Sequence, residues 1–528
     1  MGLLEELMRH VSLTGLLIFV GVSSVLYFVL NSVDHSMRLR RLPGTRATNV
    51  KGTLPFGLDI VRDQINATMN HKNLEMWTKL LADKPEFTAE TTIVGKRLLF
   101  TADPENIKAI LASQFADYGK GKPFHDEWSE FLGDSIFTTD GDRWHASRQL
   151  IRPQFVKERI SHLDCFESHL ETFFKAMANG EALNGEDQKV DLESGNGKVI
   201  EISDLLFRYT LDVATDFLLG LDVKSLTFRR RIQRGSASAE HSCACRASAT
   251  FRPLGSFRAG LKTINELCNA YIDRALRLSP EELATHTKSD EGYTFLHELA
   301  SFTRDRKVIR DQLVAILLAG RDTTAATLSW TIYELSRHPE AVRKLRAEII
   351  EQVGLTRKPT YQDLKNMKYL QNTMNETLRM YPAVPFNVRL ALQDCTLPRG
   401  GGPDGSQPVS ILKDTPIGYS TLLMQRREDL YPPASDKFAP AGEFSPDRWF
   451  NWQPKPWQYV PFNGGPRICI GQQFALTEMG YVLTRLFQRF ERVESFMQEV
   501  DGGNPTLKAE IVIQPGDGVK VAFWEAKK

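Results

Sequence analysis

The sequence predicts long helices behind an N-terminal membrane span, and three observations predict them. A long helical pattern runs from about Lys307 to His338 and is stopped by His338-Pro339. Leu261 to Ile272 repeats its apolar residues at the spacing of an amphipathic helix. Val11 to Leu30 is an uncharged, apolar-dominated run, just long enough for a hydrocarbon core of about 30 Å.

Composition sets the frame for these elements. The chain has 528 residues, 42% hydrophobic and 25% charged, which is ordinary for a globular protein with a substantial core. Its 66 basic and 65 acidic side chains nearly cancel, so net charge offers no reason to expect nucleic acid. Six irregularly spaced cysteines do not make a disulfide framework, and the main body reads as belonging to a reducing compartment. Arg38, Arg40 and Arg41 follow the apolar run, and the positive-inside rule puts that side in the cytosol. The expected layout is a lumenal end at 1–10, a single-pass anchor in the endoplasmic reticulum at 11–30, a linker at 31–57 and a cytosolic body at 58–528. A cleaved signal peptide is the weaker rival, because no small-residue cleavage site is evident.

In the linker, Leu42-Pro43-Gly44 and Leu54-Pro55-Phe56-Gly57 are stiff Pro/Gly punctuation. Thr91 to Phe100, rich in β-branched residues around Gly95-Lys96, predicts a small hairpin. Asp103-Pro104-Glu105 combines an N-cap, a first-turn proline and an early acid, so a helix should begin there. Asp140-Gly141-Asp142 marks a turn before Trp144 and Arg148, which are four apart and share one helix face. Two glycosylation sequons, at Asn66 and Asn375, fall in the expected cytosolic body and are discounted.

Residues 225–258 break the pattern. Between Arg229 and Arg252 the large apolar residues are Ile232 and Phe251 alone, six arginines occur, and no helical or strand period is visible. His241, Cys243 and Cys245 invite a metal reading, but they lie too close together for the usual zinc spacings. A frameshift or a mispredicted exon boundary accounts for this composition.

Chemistry-bearing patterns follow. Ala319-Gly320-Arg321-Asp322-Thr323-Thr324 sits at the middle of the long helical pattern. There Gly320 lets a flat group approach the backbone, threonines can bond back to carbonyls, and Asp322 with Thr323 can relay protons. Glu376 and Arg379 are three apart on another helix, an ion pair worth little by itself. The run Arg399-Gly-Gly-Gly-Pro-Asp-Gly reads as a flexible loop between short strands. Phe462 to Gly471, Phe-Asn-Gly-Gly-Pro-Arg-Ile-Cys-Ile-Gly, fits F-x-x-G-x-R-x-C-x-G. Cys469 can give a thiolate to a metal, and Arg467 offers a fork of donors for a carboxylate. Phe462 can shield the sulfur, and Gly464 and Gly471 permit a tight turn and close approach. The helical run after Gly471 places Cys469 near a helix N-terminus, which should lower its thiol pKa.

These motifs, in this order, resemble the cytochrome P-450 superfamily over nearly everything after the linker except 225–258. Their wording is most similar to the fungal alkane- and fatty-acid-hydroxylating branch. The resemblance implies a triangular helical body with small β-sheets and a haem b held by the Cys469 thiolate. It implies that Trp144, Arg148, Arg389 and Arg467 bind haem propionates, and that Val384 to Arg389 line the cavity. Glu376, Arg379 and Arg448 become a buried triad under the haem, with Asp447 where Glu is usual. In the family the 225–258 window is an apolar helix roofing the cavity, and this sequence departs from that pattern. O2 is activated with NADPH-derived electrons from a separate reductase, docked by basic residues on the cysteine side, since no flavin- or nicotinamide-type glycine unit is evident. The implied reaction is hydroxylation of a lipophilic substrate, with terminal hydroxylation of long-chain alkanes or fatty acids leading. A fungal secondary metabolite is the runner-up, and a haem-binding protein without turnover is a third reading. A haem-dependent isomerase fits less well, because Asp322 and Thr323 are both present.

Overall fold

The uncharged run near the N-terminus forms a helix, α1 (Leu13–Arg41). Phe19, Val22, Leu26 and Leu30 stand exposed along it, while Leu39 near its end is buried. The computed structural model describes residues 13–161, 163–228, 254–285, 294–435 and 438–526. Among them no helix is long and apolar enough to cross a membrane. Residues 11 and 12, and several side chains of the predicted span, lie outside that description. So does most of the 225–258 window, with the His241, Cys243 and Cys245 cluster.

After α1 the chain lies against a sheet. Thr45 N–H donates to Pro408 O at 2.8 Å, and β1 (Thr48–Asn49) pairs parallel with β2 (Thr88–Ile93). β2 and β3 (Lys96–Thr101) form the predicted hairpin, in register from Thr88↔Thr101 to Ile93↔Lys96. Its turn sits one residue earlier than expected. Val94 at φ 48° and Gly95 at φ 77° are its two left-handed residues, the requirement of a type I′ turn. Asp103 caps the helix Pro104–Lys108, accepting from Asn106 N–H at 2.9 Å, as the sequence predicts. Three more strands, β4 (Tyr118–Gly119), β5 (Phe386–Ala391) and β6 (Pro416–Ser420), complete a sheet ordered β1-β2-β3-β6-β5-β4.

Helices make the rest of the body: α2 (Gly121–Leu132), α3 (Gly141–Ile151), α4 (Asp164–Asn179) and α5 (Ile202–Leu219). Then come α6 (Leu254–Arg277), α7 (Arg306–Leu335), α8 (Lys368–Met380) and α9 (Gln472–Arg489). α7 is the expected long helix, capped by Asp305. Its front half, Ile309 to Ile316, packs in a core with α2, α3 and α6. Its back half, Leu328 to Leu335, packs in another with α4, α5 and α9. Between the two cores Leu317 to Gly320 are only half-buried, so the helix is lined by protein at both ends and open at its middle.

The chain that leads into the cysteine loop is held from one carboxylate. Glu376 on α8 receives Arg379 through two bonds, at 2.7 and 2.9 Å, and Arg448 Nε at 3.2 Å. Trp449 Nε1 and Ser445 N–H also donate to it. The spare donors of both arginines go to the carbonyls of Ala439, Pro440, Ala441 and Glu443. Burial works against both guanidiniums. For Arg379 the two-pronged bond outweighs it and the net shift is upward, whereas Arg448, with one bond to Glu376, ends below its ordinary value. Asp447 points away, to Lys344 and Tyr369, so its replacement of the usual Glu leaves this network untouched.

Downstream, Cys469 N–H donates to Phe462 O at 2.9 Å and closes the cysteine loop. The most demanding glycine in it is Gly465, although a Cβ on Gly464 would also clash, 2.5 Å from the Trp457 ring. Gly465 has φ 61°, and a Cβ there would lie 1.9 Å from Leu111 O. Gly464 faces the Trp457 ring, and a Cβ on Gly471 would make only ordinary contacts. The motif's fixed glycine is therefore a backbone requirement at the crossing with Leu111.

Arg448→Ala should cost about 3–5 kcal/mol, because it strips a buried carboxylate of one cation; a lower urea midpoint reads this. Gly465→Ala should cost more than about 2 kcal/mol from the left-handed backbone and the carbonyl clash. Gly442→Ala, with nothing within 4 Å of its Cβ, should stay within about 0.5 kcal/mol in the same urea titration.

Candidate active site

Cys469 ends the loop two residues before α9, whose N-cap is Gly471. Its side chain is reachable by solvent yet closely surrounded by protein. Burial pushes the thiol above its ordinary value, with the Gly471 N–H and the Arg148 charge pulling it back. The expected lowering is therefore outweighed in the protein alone. A helix N-terminus contributes a local dipole, while the desolvation comes from everything packed around the sulfur.

The open middle of α7 carries the second motif. A Cβ on Gly320 would meet only the Ala214 methyl, at 4.0 Å, so the backbone is approachable there. Ala319, Gly320 and Thr323 share the half-buried face. Thr323 Oγ1 donates to Ala319 O at 2.7 Å, the back-bond the sequence predicts. Its oxygen keeps lone pairs for an incoming donor. Asp322 is buried and pairs with Arg321, Nε to Oδ1 at 3.3 Å. The two relay candidates are thus adjacent in sequence, but their polar contacts run to different partners.

A cluster of buried cations lies beside the cysteine loop. The β4–β5 pairing, Gly119↔Leu390, brings Lys120 next to Arg389 at the edge of the sheet. Lys120 Nζ donates to Asn387 Oδ1 at 3.2 Å, and Arg389 Nη1 donates to the same oxygen at 2.9 Å. Arg467 lies over the Trp144 ring at 4.7 Å, and Arg148 reaches the same ring at 5.7 Å. The predicted helix pair and the predicted loop arginine therefore meet on one indole. Trp144 is 2% exposed, so its part is to hold the guanidiniums by its face.

Asp140 is the carboxylate that fixes this cluster. It accepts from the backbone N–H groups of Lys120 and Gly121 at 2.9 and 2.8 Å, and from Arg467 Nη2. Sequence reasoning read Asp140 only as a turn residue and passed over Lys120, which stands in no motif. Burial and mutual repulsion both act on these cations. Burial, then Arg389 and Arg467, hold Lys120 well below its ordinary value. Burial and Arg389 bring Arg467 down to about 10, Asp140 opposing them. Arg467 Nε is buried and has no hydrogen-bond partner among the described residues. Lys120, Arg389 and Arg467 thus have more positive charge and more donors than Asp140 can satisfy. A ligand bearing two carboxylates, set on the face of a cysteine sulfur, matches that surplus, and haem b is such a ligand.

The cytochrome P450 family model matches residues 63–518. The chain is 52% identical over 514 residues to "Cytochrome P450 monooxygenase pvhE" of Talaromyces variabilis, covering 96% of this chain and 94% of that one. It is 40% identical to "Cytochrome P450 52A13" of Debaryomyces hansenii, covering 89% of each. It is 38% identical to "Cytochrome P450 52A6" of Candida tropicalis, covering 90% of this chain and 91% of that one. The heme domain of cytochrome P450DA superposes with a TM-score of 0.72 over 92% of this chain and 99% of that one at 20% identity, which speaks to the fold. The chain belongs to the cytochrome P450 family, and is a monooxygenase that works with haem b on a cysteine thiolate, O2 and electrons from a reductase partner.

Proposed function

We propose that the protein hydroxylates long-chain alkanes or fatty acids at or near the chain end, from an anchored position on the endoplasmic reticulum membrane. The observation that carries the site assignment is the buried excess of positive charge beside Cys469. In this reading Cys469 would hold the haem iron, and Arg148, Arg389 and Arg467 would hold the propionates, with Lys120 added to them and Trp144 stacking the guanidiniums. Phe462 carries the carbonyl that fixes the Cys469 N–H and screens the sulfur from water.

Bound haem supplies the activation of O2 and the transfer of one oxygen atom to a C–H bond, the thiolate favouring O–O cleavage. The chain's own part is to place, shield and deliver protons. Thr323 presents a hydroxyl in the opened face of α7, oriented by its bond to Ala319 O. Asp322, one residue away, can take up a proton and pass it on by turning from Arg321. The reductase docks on the cysteine side, through basic residues there.

The membrane reading rests on α1, with its uncharged run, its exposed apolar side chains, and Arg38, Arg40 and Arg41 in its last turn. Arg38 is itself tied to Asp394 at 2.7 Å, which links the helix to the catalytic body. Substrate class rests on the resemblance of the motifs to the fungal alkane and fatty-acid branch. A second reading keeps the chemistry and takes a secondary metabolite as substrate. It is favoured by the relative at 52% identity, which stands outside the 52A group that matches at 38–40%.

Turnover with reductase, NADPH and lauric or palmitic acid should give terminally hydroxylated product. A sound reduced, carbon-monoxide-bound spectrum with no such product would favour the second reading. Cys469→Ser should abolish the Soret spectrum of the wild type; an unchanged spectrum would remove the ligand assignment. Thr323→Ala should lower product formed per NADPH consumed by roughly tenfold, short of the ~10²-fold of a fully lost proton donor, since water can replace one hydroxyl. The ratio of NADPH oxidised to product measured reads this directly.

A further inference from the structure

α4 opens Asp164-Cys165-Phe166-Glu167-Ser168-His169, and the four-residue spacing sets the Cys165 and His169 side chains on one face. Facing them is the last turn of α5, with Asp216, and the loop after it, with Asp222. One ligand atom from each of Cys165, His169 and Asp216 lies within 4.8 Å of the others. Cys165 Sγ is 3.6 Å and His169 Nε2 is 3.1 Å from Asp216 Oδ2. Ligand atoms around a tetrahedral zinc, at bonds of about 2.0–2.3 Å, stand about 3.3–3.5 Å apart. The three groups need only small movements to close on an ion.

The second imidazole nitrogen adds an independent observation. His169 Nδ1 is 3.7 Å from Asp222 Oδ2. That is where metal-bound imidazoles carry an orienting carboxylate, which fixes the tautomer that leaves Nε2 free for the metal. A third observation comes from α9. Phe474 packs against Phe166 at 5.4 Å and Phe217 at 4.6 Å, the residues after Cys165 and Asp216, and Tyr481 packs against Phe166 at 6.0 Å. Glu478 lies on the turn between Phe474 and Tyr481. It is 1% exposed, and its Oε1 has no hydrogen-bond partner among the described residues. Burial first, then Asp216 and Glu478, hold the Cys165 thiol well above its ordinary value. On His169, burial opposes protonation, while Asp216, Asp222 and Asp212 favour it and prevail. The charges acting most strongly on this cluster are acidic, in a place where unpaired acids are costly.

We propose that Cys165, His169 and Asp216 bind a zinc ion, with Asp222 orienting the imidazole and the Glu478 carboxylate behind it. Thiolate, imidazole and carboxylate together are a zinc-type donor set, and three protein ligands leave a fourth position for water. Binding releases the Cys165 thiol proton and takes His169 as a neutral imidazole. Cys165 and Asp216 are half-buried, which leaves the ion a way in. The site ties the start of α4 to the end of α5, whose Phe166 and Phe217 pack against Phe474 of α9, so its role is to brace that helix.

The test uses the haem-loaded full chain, given a small excess of Zn2+, gel-filtered, and assayed for zinc and iron by mass spectrometry. The expected result is about one zinc per iron in the wild type and a loss of most of it in Cys165→Ala and His169→Ala, with their carbon-monoxide spectra unchanged. Asp222→Asn should weaken zinc binding about 10- to 100-fold. A wild type that holds no more zinc than His169→Ala overturns the proposal and leaves a buried ion pair. Should the alanine variants lose haem, thermal unfolding of the wild type decides: a midpoint raised by Zn2+ and returned by EDTA supports the site, and one that zinc leaves unmoved overturns it.

Discussion

The carboxylate of Glu376 is the tie on which the catalytic side of this molecule depends. A fully buried anion is tolerable only if cations and hydrogen bonds replace the water it has lost. Here Arg379 and Arg448, the indole of Trp449 and the Ser445 N–H replace it. The same guanidiniums spend their remaining donors on carbonyls between Ala439 and Glu443. A stretch with little regular structure of its own is thereby pinned to α8, and the chain enters the cysteine loop from a fixed point. Rigidity in the loop is bought from the triad, and its last adjustment is the crossing of Gly465 with Leu111.

The cation cluster beside the cysteine loop, proposed above as the haem site, reverses this balance. Under the loop, charge is neutralised within the protein; beside it, Lys120, Arg389 and Arg467 are assembled with Asp140 as their carboxylate. Such a cluster is unfavourable without an anionic ligand, and the fold sustains it by β-pairing and by the Trp144 face. Destabilisation held in place by packing is a common property of binding sites, because the ligand then recovers what the protein forgoes. The cluster around His169 shows the opposite sign, an excess of acidic groups, and the same logic points it toward a cation.

Much of this was legible one motif at a time. The long helix α7, the hairpin of β2 and β3, the cap at Asp103 and the Trp144–Arg148 face all follow local rules of period, turn and spacing, which operate within a few residues. The hairpin turn fell at Val94-Gly95 because strand register, set by cross-strand pairing, chose it over a local preference for Gly95-Lys96. Gly464 was weighed as the turning glycine, and Gly465 makes the larger demand, because its decisive neighbour, Leu111, is far away in sequence. The thiol of Cys469 follows the same lesson: its helix-terminal position is local, but the burial that outweighs it is collective.

By itself the sequence determined the chemistry, since a thiolate donor, a fork of guanidinium donors, a glycine opening and a hydroxyl beside an acid depend on residue identity and short spacing. Only the tertiary structure decided which groups share a place. It brought Lys120 to Arg389 through strand pairing, gave Asp140 to Arg467, turned Asp322 toward Arg321, and set Cys165 and His169 against Asp216. The physical reason is that electrostatics and desolvation act through space at a few ångströms, while the chain brings those groups together from tens to hundreds of residues apart.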